Sequence, residues 1–280
     1  MQENLAEQII DRMKEMTSRS TVTMKLKHGT PGITDSKVSG IPFIPVGGEY
    51  PVDAVTGDML YLLIQINFAQ VPHIPDFPEK GILQVFIGGG DCYGCDFDDM
   101  TAQNAWRVLY HEDISDPMSE EQVTALMETL PKVENPDLPF EEEGAVYDIV
   151  FTENTMAMSF GDFRFVDTVW EKCEDIIPDD IDRENGWYDI PDEISDEISD
   201  ELSGSGSRLG GYSGFTQDDP RGDNDELSEY ELLLQLDSEG DENDDWALMF
   251  GDSGILNIFI RPEDLKNKDF SNVMYNWDCC

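Results

Sequence analysis

The same order of sequence motifs occurs twice in this chain. Four stretches of the first half recur in the second half, in the same order and at nearly constant spacing. The matches are residues 36–41 (SKVSGI) with 207–212 (SRLGGY), 62–67 (LLIQIN) with 232–237 (LLLQLD), 81–87 (GILQVFI) with 254–260 (GILNIFI), and the Asp-Phe pair at 96–97 with that at 269–270. The offsets are 171, 170, 173 and 173 residues, and a fixed offset is typical of a repeated structural unit. We therefore expect a tandem duplication with two structurally related halves.

The hydrophobic patterns predict the elements of each half. Residues 60–68 and 82–87 are continuous apolar runs bounded by Gly and Pro, a pattern typical of strands that are covered on both faces. Residues 4–17 carry an apolar stripe at helical spacing, and residues 22–26 alternate apolar and polar side chains, which predicts a helix followed by a strand. The sequence thus predicts an α+β protein of two related β-rich halves, each preceded by a helix and packed as one compact unit.

We divide the chain into two halves and an insert. The predicted segments are residues 1–111 for the first half, 112–170 for an insert packed on that half, and 171–280 for the second half. Inside the insert, Ser119 and Gln122 form a capping box that predicts a helix. Strands are expected near residues 146–151 and 155–160, and a short helix is expected at 166–173.

An acidic repeat lies at the start of the second half. Residues 192–203 (DEISDEISDELS) repeat a tetrapeptide three times. Period four aligns Ile194, Ile198 and Leu202 on one helical face, while it stacks like charges at i, i+4, where they repel. Residues 190–203 therefore have two interpretations. One is a helix docked through its apolar face, in the place that the N-terminal helix holds in the first half, and the other is a solvated acidic linker.

The charge of the chain restricts its partners. The formal net charge is −44, from 61 acidic and 17 basic residues, so long-range electrostatics oppose binding to nucleic acid or to an anionic membrane surface. Such a charge suits a basic protein partner or divalent cations, or serves solubility alone. The chain contains neither an apolar run of membrane-spanning length nor a signal-peptide pattern near its start, which predicts a cytoplasmic protein.

No set of residues in the sequence predicts catalysis or a bound cofactor. Cys92 and Cys95 form a CxxC element and the chain ends in Cys279 and Cys280, but two adjacent cysteines seldom chelate one tetrahedral zinc ion. The acidic residues after Cys95 raise the thiol pKa and oppose redox catalysis. The three histidines lie outside any known catalytic or metal-binding motif. We therefore assign no catalytic residue, metal or cofactor.

Several of these motifs together resemble a known family. They are residues 36–45 (SKVSGIPFIP), 63–68 (LIQINF), 81–87 (GILQVFI), 96–99 (DFDD), 210–212 (GGY), 215–221 (FTQDDPR) and 275–280 (YNWDCC). They look like the YwqG-like family of bacterial proteins, and the resemblance spans nearly the whole chain. It implies a cytoplasmic protein of mixed α and β structure in a family without an assigned function, and it supplies no catalytic residues. Ser39 departs from the family pattern, in which a second glycine is usual.

Two functions from different classes remain open. The first is a non-enzymatic binding module for a basic protein partner, such as an immunity factor or inhibitor, with an acidic face that includes Asp192, Glu193, Asp196 and Glu197. The second is an enzyme or small-molecule-binding protein that uses the cleft between the halves. The residues expected to line that cleft are Gln65, Tyr110, Gln235, Tyr275 and Trp277. The sequence makes no prediction of oligomeric state.

Overall fold

The fold is that of an α+β protein with one large antiparallel sheet, nearly closed into a barrel. It was obtained as a computed structural model, which describes residues 4–142, 144–179, 181, 183–222, 224–243 and 245–280. The helices are α1 Leu5–Thr17, α2 Glu120–Glu128, α3 Phe165–Lys172, α4 Asp192–Glu201 and α5 Pro262–Asn267. The strands are β1 Arg19–His28, β2 Lys37–Val38, β3 Tyr61–Asn67, β4 Ile82–Ile87, β5 Arg107–His111, β6 Tyr147–Met156, β7 Arg208–Gly210, β8 Glu231–Asp237, β9 Glu239–Gly240, β10 Trp246–Leu248, β11 Ile255–Ile260 and β12 Val273–Asp278.

The large sheet has a group of four strands at each edge, and the two groups are arranged alike. From each edge toward the centre, the strands of a group follow in reverse order of sequence. The order is β12-β11-β8-β7-β1-β6-β2-β3-β4-β5. We call β2 to β5 the first block, and β7, β8, β11 and β12 the second block. The first three matched motifs occupy corresponding strands of the two blocks, the Asp-Phe pairs lie in the segments before β5 and β12, and β1 and β6 lie between the blocks. In both blocks the short first strand pairs with the glutamine of the next strand, as Lys37 opposite Gln65 and Arg208 opposite Gln235.

The free edges of the two blocks approach each other through the segment that precedes β5. The backbone amide of Tyr275 in β12 donates to the carbonyl of Met100 (2.9 Å), and the indole nitrogen of Trp277 donates to the carbonyl of Cys92 (3.1 Å). The rings of Trp106 and Tyr275 lie 5.1 Å apart. These contacts join β12 to the segment between β4 and β5, so the two ends of the sheet meet around a single interior.

One hydrophobic core fills this interior and draws on both blocks. Its fully buried members include Val22 of β1, Leu63 of the first block, and Leu234 and Ile258 of the second block. Strands alternate their side chains between two faces, so Gln65 and Gln84 point to the outer face, which loops cover. A shared interior of this kind binds the blocks into one unit, as the sequence predicted.

The N-terminal helix and the acidic repeat form a helical layer outside the sheet. α1 confirms the predicted helix, and α4 shows that the repeat is helical and not a linker. The two helices pack against each other and α3 packs against α1. Their buried contacts include Ile9 and Ile198, each 0 % exposed. α4 therefore lies beside α1 and does not hold a matching position in the second half, because α1 leads into β1 whereas α4 leads directly into β7.

The segment between residues 112 and 170 contains α2, β6 and the start of α3. α2 has the predicted capping box at Ser119 and Gln122, and it packs through Val123 onto the first block. The strand expected at 146–151 is part of β6, which continues to Met156 and pairs along its whole length with β1, whereas residues 157–160 of the second expected strand are not in a strand. Because β6 also pairs with β2, this segment joins the centre of the sheet. None of the described helices is both long enough and apolar enough to cross a bilayer.

Candidate functional site

Gln65 holds the loop that covers the outer face of the first block. Its Nε2 donates to the carbonyls of Ile33 (2.9 Å) and Asp35 (2.8 Å), and its Oε1 accepts from the amide of Phe43 (2.8 Å). Gln84 of the neighbouring strand donates to the same Oε1 (2.8 Å). The Gln65 side chain is fully buried, and a buried amide without partners would destabilise the fold. Gln65 therefore has a structural role, because its side chain binds the backbone of this loop.

Gln235 makes the corresponding contacts in the second block. Its Nε2 donates to the carbonyls of Gly204 (2.8 Å) and Gly206 (2.9 Å), and its Oε1 accepts from the amide of Gly214 (2.7 Å). Each partner stands 171 residues after its equivalent in the first block, the same offset as that between residues 36–41 and 207–212. Asn257 donates to the carbonyl of Gly214 (2.9 Å). In the first block, Gln84 donates to the carbonyl of Phe43 in the same way (2.9 Å).

The aromatic residues expected at the cleft lie on the other face of the sheet. Tyr275 is 0 % exposed inside the barrel, and burial holds its pKa well above the ordinary value. The indole of Trp277 packs 4.9 Å from the ring of Tyr93, and the hydroxyl of Tyr110 donates to the carbonyl of Lys80 (2.8 Å). The structure thus separates these rings from Gln65 and Gln235, and it brings Tyr275 and Trp277 together where the sheet edges meet. Ligand binding by the five residues stays a prediction.

A groove lined with carboxylates runs between α1 and α4. Its volume is about 640 Å³, and Ile10 contributes an apolar side chain to it. The carboxylates are those of Glu7, Asp11, Glu197, Asp200 and Glu201, and the basic residue that lines the groove is Lys14. Lys14 pairs with Glu201, and Asn4 donates to Glu197 (2.6 Å). We call this feature the acidic groove.

The four acidic residues that the sequence singled out all lie on α4 and are exposed. Asp192 and Glu193 occupy the first turn, where the helix dipole favours negative charge. Glu197 lines the acidic groove, whereas Asp192, Glu193 and Asp196 do not. The groove therefore includes residues that the repeat predicted, together with acids of α1 that sequence reasoning did not connect to them.

Most of the basic residues already have carboxylate partners inside the protein. At least eleven of the 17 have a nitrogen within 4 Å of a carboxylate oxygen, namely Arg12, Lys14, Arg19, Lys25, Lys80, Arg164, Lys172, Arg221, Arg261, Lys266 and Lys268. The number of acidic residues is far larger. Internal pairing therefore leaves the acidic groove with a strong excess of negative charge.

A buried ion network joins the helical layer to the second block, and the sequence analysis did not predict it. Arg221, 1 % exposed, binds Asp219 (2.6 Å) and Asp162 (3.3 Å), and Arg164 binds Glu231 (2.6 Å). Burial alone would raise the pKa of Asp162, but the hydrogen bond from Arg164 and the charges of both arginines hold it below the ordinary value. Asp219 and Arg221 belong to the FTQDDPR motif, which the sequence analysis used only for the family resemblance.

Cys92 and Cys95 offer little thiolate for chemistry. Burial raises the pKa of Cys95 to about 12, and both burial and Asp91 raise that of Cys92. Cys95 donates to the carbonyl of Tyr275 (3.6 Å). Within the part of the chain that the structure describes, no group of three His, Cys, Asp or Glu residues is placed to hold a metal ion.

Comparison with models of known families identifies the family of this chain. The model of a domain of unknown function, DUF1963, matches residues 36–279. The chain belongs to the DUF1963 family. This confirms the resemblance to YwqG-like proteins, since that family is DUF1963. The DUF1963 match begins at β2 and includes both blocks, the buried glutamines and α4, but it leaves out α1 and β1. No curated protein matches the chain.

Proposed function

We propose that this protein is a non-enzymatic binding module whose acidic groove docks a basic segment of a partner protein. The observation that carries the proposal is the convergence of five carboxylates from two helices on one groove with a single lysine. A partner that brings lysine or arginine side chains would neutralise these charges, and the negative field of the protein would speed its approach.

The construction of α4 supports the same proposal. Its tetrapeptide period stacks Asp192, Asp196 and Asp200 in one column and Glu193, Glu197 and Glu201 in another. Like charges at i, i+4 destabilise a helix, and α4 is held by the burial of Ile198 and Leu202 against its neighbours. A basic partner would relieve this repulsion, so binding and helix stability favour each other.

The proposal also covers the location of the protein, the class of its partner and the origin of its two blocks. The cysteines are free thiols, which supports a reducing compartment and hence the cytoplasm. The charge of −44 argues against nucleic acid as the partner. The matched strand order and the matched amide hydrogen bonds support a common origin of the two blocks by duplication of one four-stranded unit.

The proposal is tested with a fluorescent amphipathic peptide of leucine and lysine, and with a glutamate version of the same peptide. We expect the lysine peptide to bind in a salt-dependent manner and the glutamate peptide not to bind. The double variant Glu197→Lys with Asp200→Lys should lower the affinity for the lysine peptide at least tenfold, as measured by fluorescence anisotropy. The quadruple variant of Asp192, Glu193, Asp196 and Glu197 to Lys should weaken its binding less than the double variant does, because of these four residues Glu197 alone lines the groove.

The matched control carries the same charge change elsewhere. Glu128 and Glu134 are exposed and lie outside the acidic groove, so Glu128→Lys with Glu134→Lys should change affinity by less than about threefold, the size of a general screening effect. Circular dichroism checks that α4 remains folded in each variant. Equal losses in the two double variants would show that net charge and not the groove attracts the peptide, and would overturn the proposal.

A further inference from the structure

A second cavity opens at the seam between the blocks, where β7 ends. β7 has three residues and lies between β1, with ten, and β8, with seven. β1 pairs with it only from Thr21 to Thr23, and β8 pairs with it only through Leu234 and Gln235. Beyond Gly210, the start of β1 and the start of β8 therefore face each other without a strand between them. The cavity at this opening has a volume of about 390 Å³, and we call it the seam pocket.

The walls of the seam pocket are apolar and come from both blocks. Ile74 and Phe77 belong to the loop between β3 and β4, Leu232 and Ile260 belong to the second block, and Leu265 belongs to α5. All of them except Phe77 are less than 8 % exposed, so the packing of the core fixes their positions. The walls are thus preformed, and the volume lies within the range of about 300–1,000 Å³ that is typical of small-molecule sites.

A glycine keeps the floor of the pocket free of side chains. Gly210 has φ +65°, in the left-handed region, and a Cβ atom at this position would lie 3.4 Å from the ring of Phe77. A larger side chain would fill the space between β7 and the ring. The backbone thus passes close to Phe77 and leaves the cavity open above it.

The charged residues that line the seam pocket are Glu231, Asp76, which pairs with Lys266 (3.7 Å), and Arg19. Arg19 is the cation among them. Its Nη1 donates to Glu231 (2.7 Å), and its guanidinium carbon lies 4.3 Å from the centre of the Tyr212 ring. These contacts fix the guanidinium, and the described residues provide no partner for its Nε and Nη2. Glu231 is already shared with Arg164, so it does not fully neutralise Arg19. The guanidinium therefore keeps unused donors, and Arg19 lines a cavity whose walls are otherwise largely apolar.

We propose that the seam pocket binds a small carboxylate with an apolar or aromatic body. The carboxylate is held by Arg19, since a guanidinium forms charge-assisted hydrogen bonds with a carboxylate. The body lies against Phe77 and Leu232. The net charge of the protein slows the approach of an anion, but salt screens this repulsion beyond about 10 Å. The site is separate from the acidic groove and does not depend on it.

The experiment compares three probes that share one apolar body and differ in the polar group. Phenylpropionate, phenylpropanol and phenylpropylamine are titrated into the full-length protein by isothermal calorimetry, with thermal unfolding as a second readout. We expect phenylpropionate to bind most tightly and to raise the melting temperature. Tighter binding of the amine or the alcohol, or binding of none of the three at millimolar concentration, overturns the proposal.

Variants locate the site. Ser20 is exposed and lines the pocket, so Ser20→Trp should fill it and abolish binding, whereas Ser18→Trp, at an exposed position outside the pocket, should not. Arg19→Gln should lower the affinity for phenylpropionate at least tenfold and leave the affinity for phenylpropanol unchanged. Arg12→Gln is the control and should change neither affinity. Unchanged binding in Ser20→Trp would overturn the proposal. Because Ser20→Trp leaves the acidic groove intact, binding of the lysine peptide reports separately on the proposed function.

Discussion

The two blocks bury different cations at corresponding positions. Lys37 of the first block is 2 % exposed and Arg208 of the second is 4 % exposed. Among the described residues, the ammonium of Lys37 has one hydrogen-bond partner, the carbonyl of Ile41 (3.0 Å). The guanidinium of Arg208 donates to several backbone carbonyls, those of Gly204, Ser205, Gly206 and Tyr212. The same place in the fold thus holds a nearly unsatisfied cation in one block and a saturated one in the other.

The difference shows which interactions the loops of each block depend on. Gln65 and Gln235 bind their loops in the same way, so the amide contacts are common to both blocks. The guanidinium adds a second set of contacts to the loop around Gly204 and Gly206 in the second block. The ammonium of Lys37 adds little to its own loop. A buried cation is costly unless hydrogen bonds replace its water, so the two residues should respond in different ways to substitution.

The largest expected effect is on Arg208. Arg208→Met removes the donors from a set of buried carbonyls, and we expect it to lower the free energy of unfolding by about 3–5 kcal/mol, as when one partner of a buried charged contact is lost. Lys37→Met is the matched control, because it replaces a poorly solvated charge by an apolar chain, and it should change stability by less than about 1 kcal/mol. Urea unfolding followed by tryptophan fluorescence measures both. Equal losses in the two variants would contradict this account.

The second prediction concerns the pH dependence of Lys37. Burial lowers its pKa from 10.5 to about 8, against the opposing charges of Glu120, Asp35 and Asp148. Between pH 8 and pH 10.5 the unfolded chain binds more protons at this residue than the folded protein, so stability should rise with pH. The free energy of unfolding of the wild type, relative to Lys37→Met, should increase by about 2 kcal/mol across this window.

The measurement is a series of urea titrations of both proteins at matched pH values. Subtracting the variant removes the contributions of tyrosines, cysteines and the other lysines, which titrate in the same range. A difference that stays constant from pH 8 to pH 10.5 would show that Lys37 keeps its proton in the folded protein, and would refute the assignment.

Much of the fold could be predicted from the sequence because its signals are local or repeated. The strands of both blocks follow from apolar runs bounded by Gly and Pro, and the cap of α2 follows from Ser119 and Gln122. The central pairing of β1 with β6 could not be predicted, because long-range pairing leaves no periodic signal within either strand. The full extent of β6 could not be predicted, because Glu153 and Asn154, both exposed, interrupt its apolar pattern.

The site was less predictable than the fold. The acidic residues of α4 were found from the repeat, but the groove depends on α1 lying beside α4, a contact between residues far apart in the sequence, such as Asn4 and Glu197, which are 193 positions apart. The glutamines were recognised as buried amides, yet the strand pattern alone did not show to which face of the sheet their side chains point. The seam pocket exists because β7 is short, and the length of a strand beside a Gly-Gly pair has no clear mark in the sequence.

The smallest expected effect is at the turn that follows the first strand of each block. Ser39 and Gly210 occupy corresponding positions and both have φ +65°, a conformation that costs a residue with a Cβ atom about 1–2 kcal/mol. Ser39→Gly should therefore stabilise the protein, by only about 0.5 kcal/mol because glycine also loses more entropy on folding. The exchange in the other block, Gly210→Ser, should destabilise it by about 1 kcal/mol, since the new Cβ lies at ordinary contact distance from Phe77. Urea midpoints of the two variants should move in opposite directions. A shift in the same direction would mean that the two turns, despite their shared backbone conformation, are held by different surroundings.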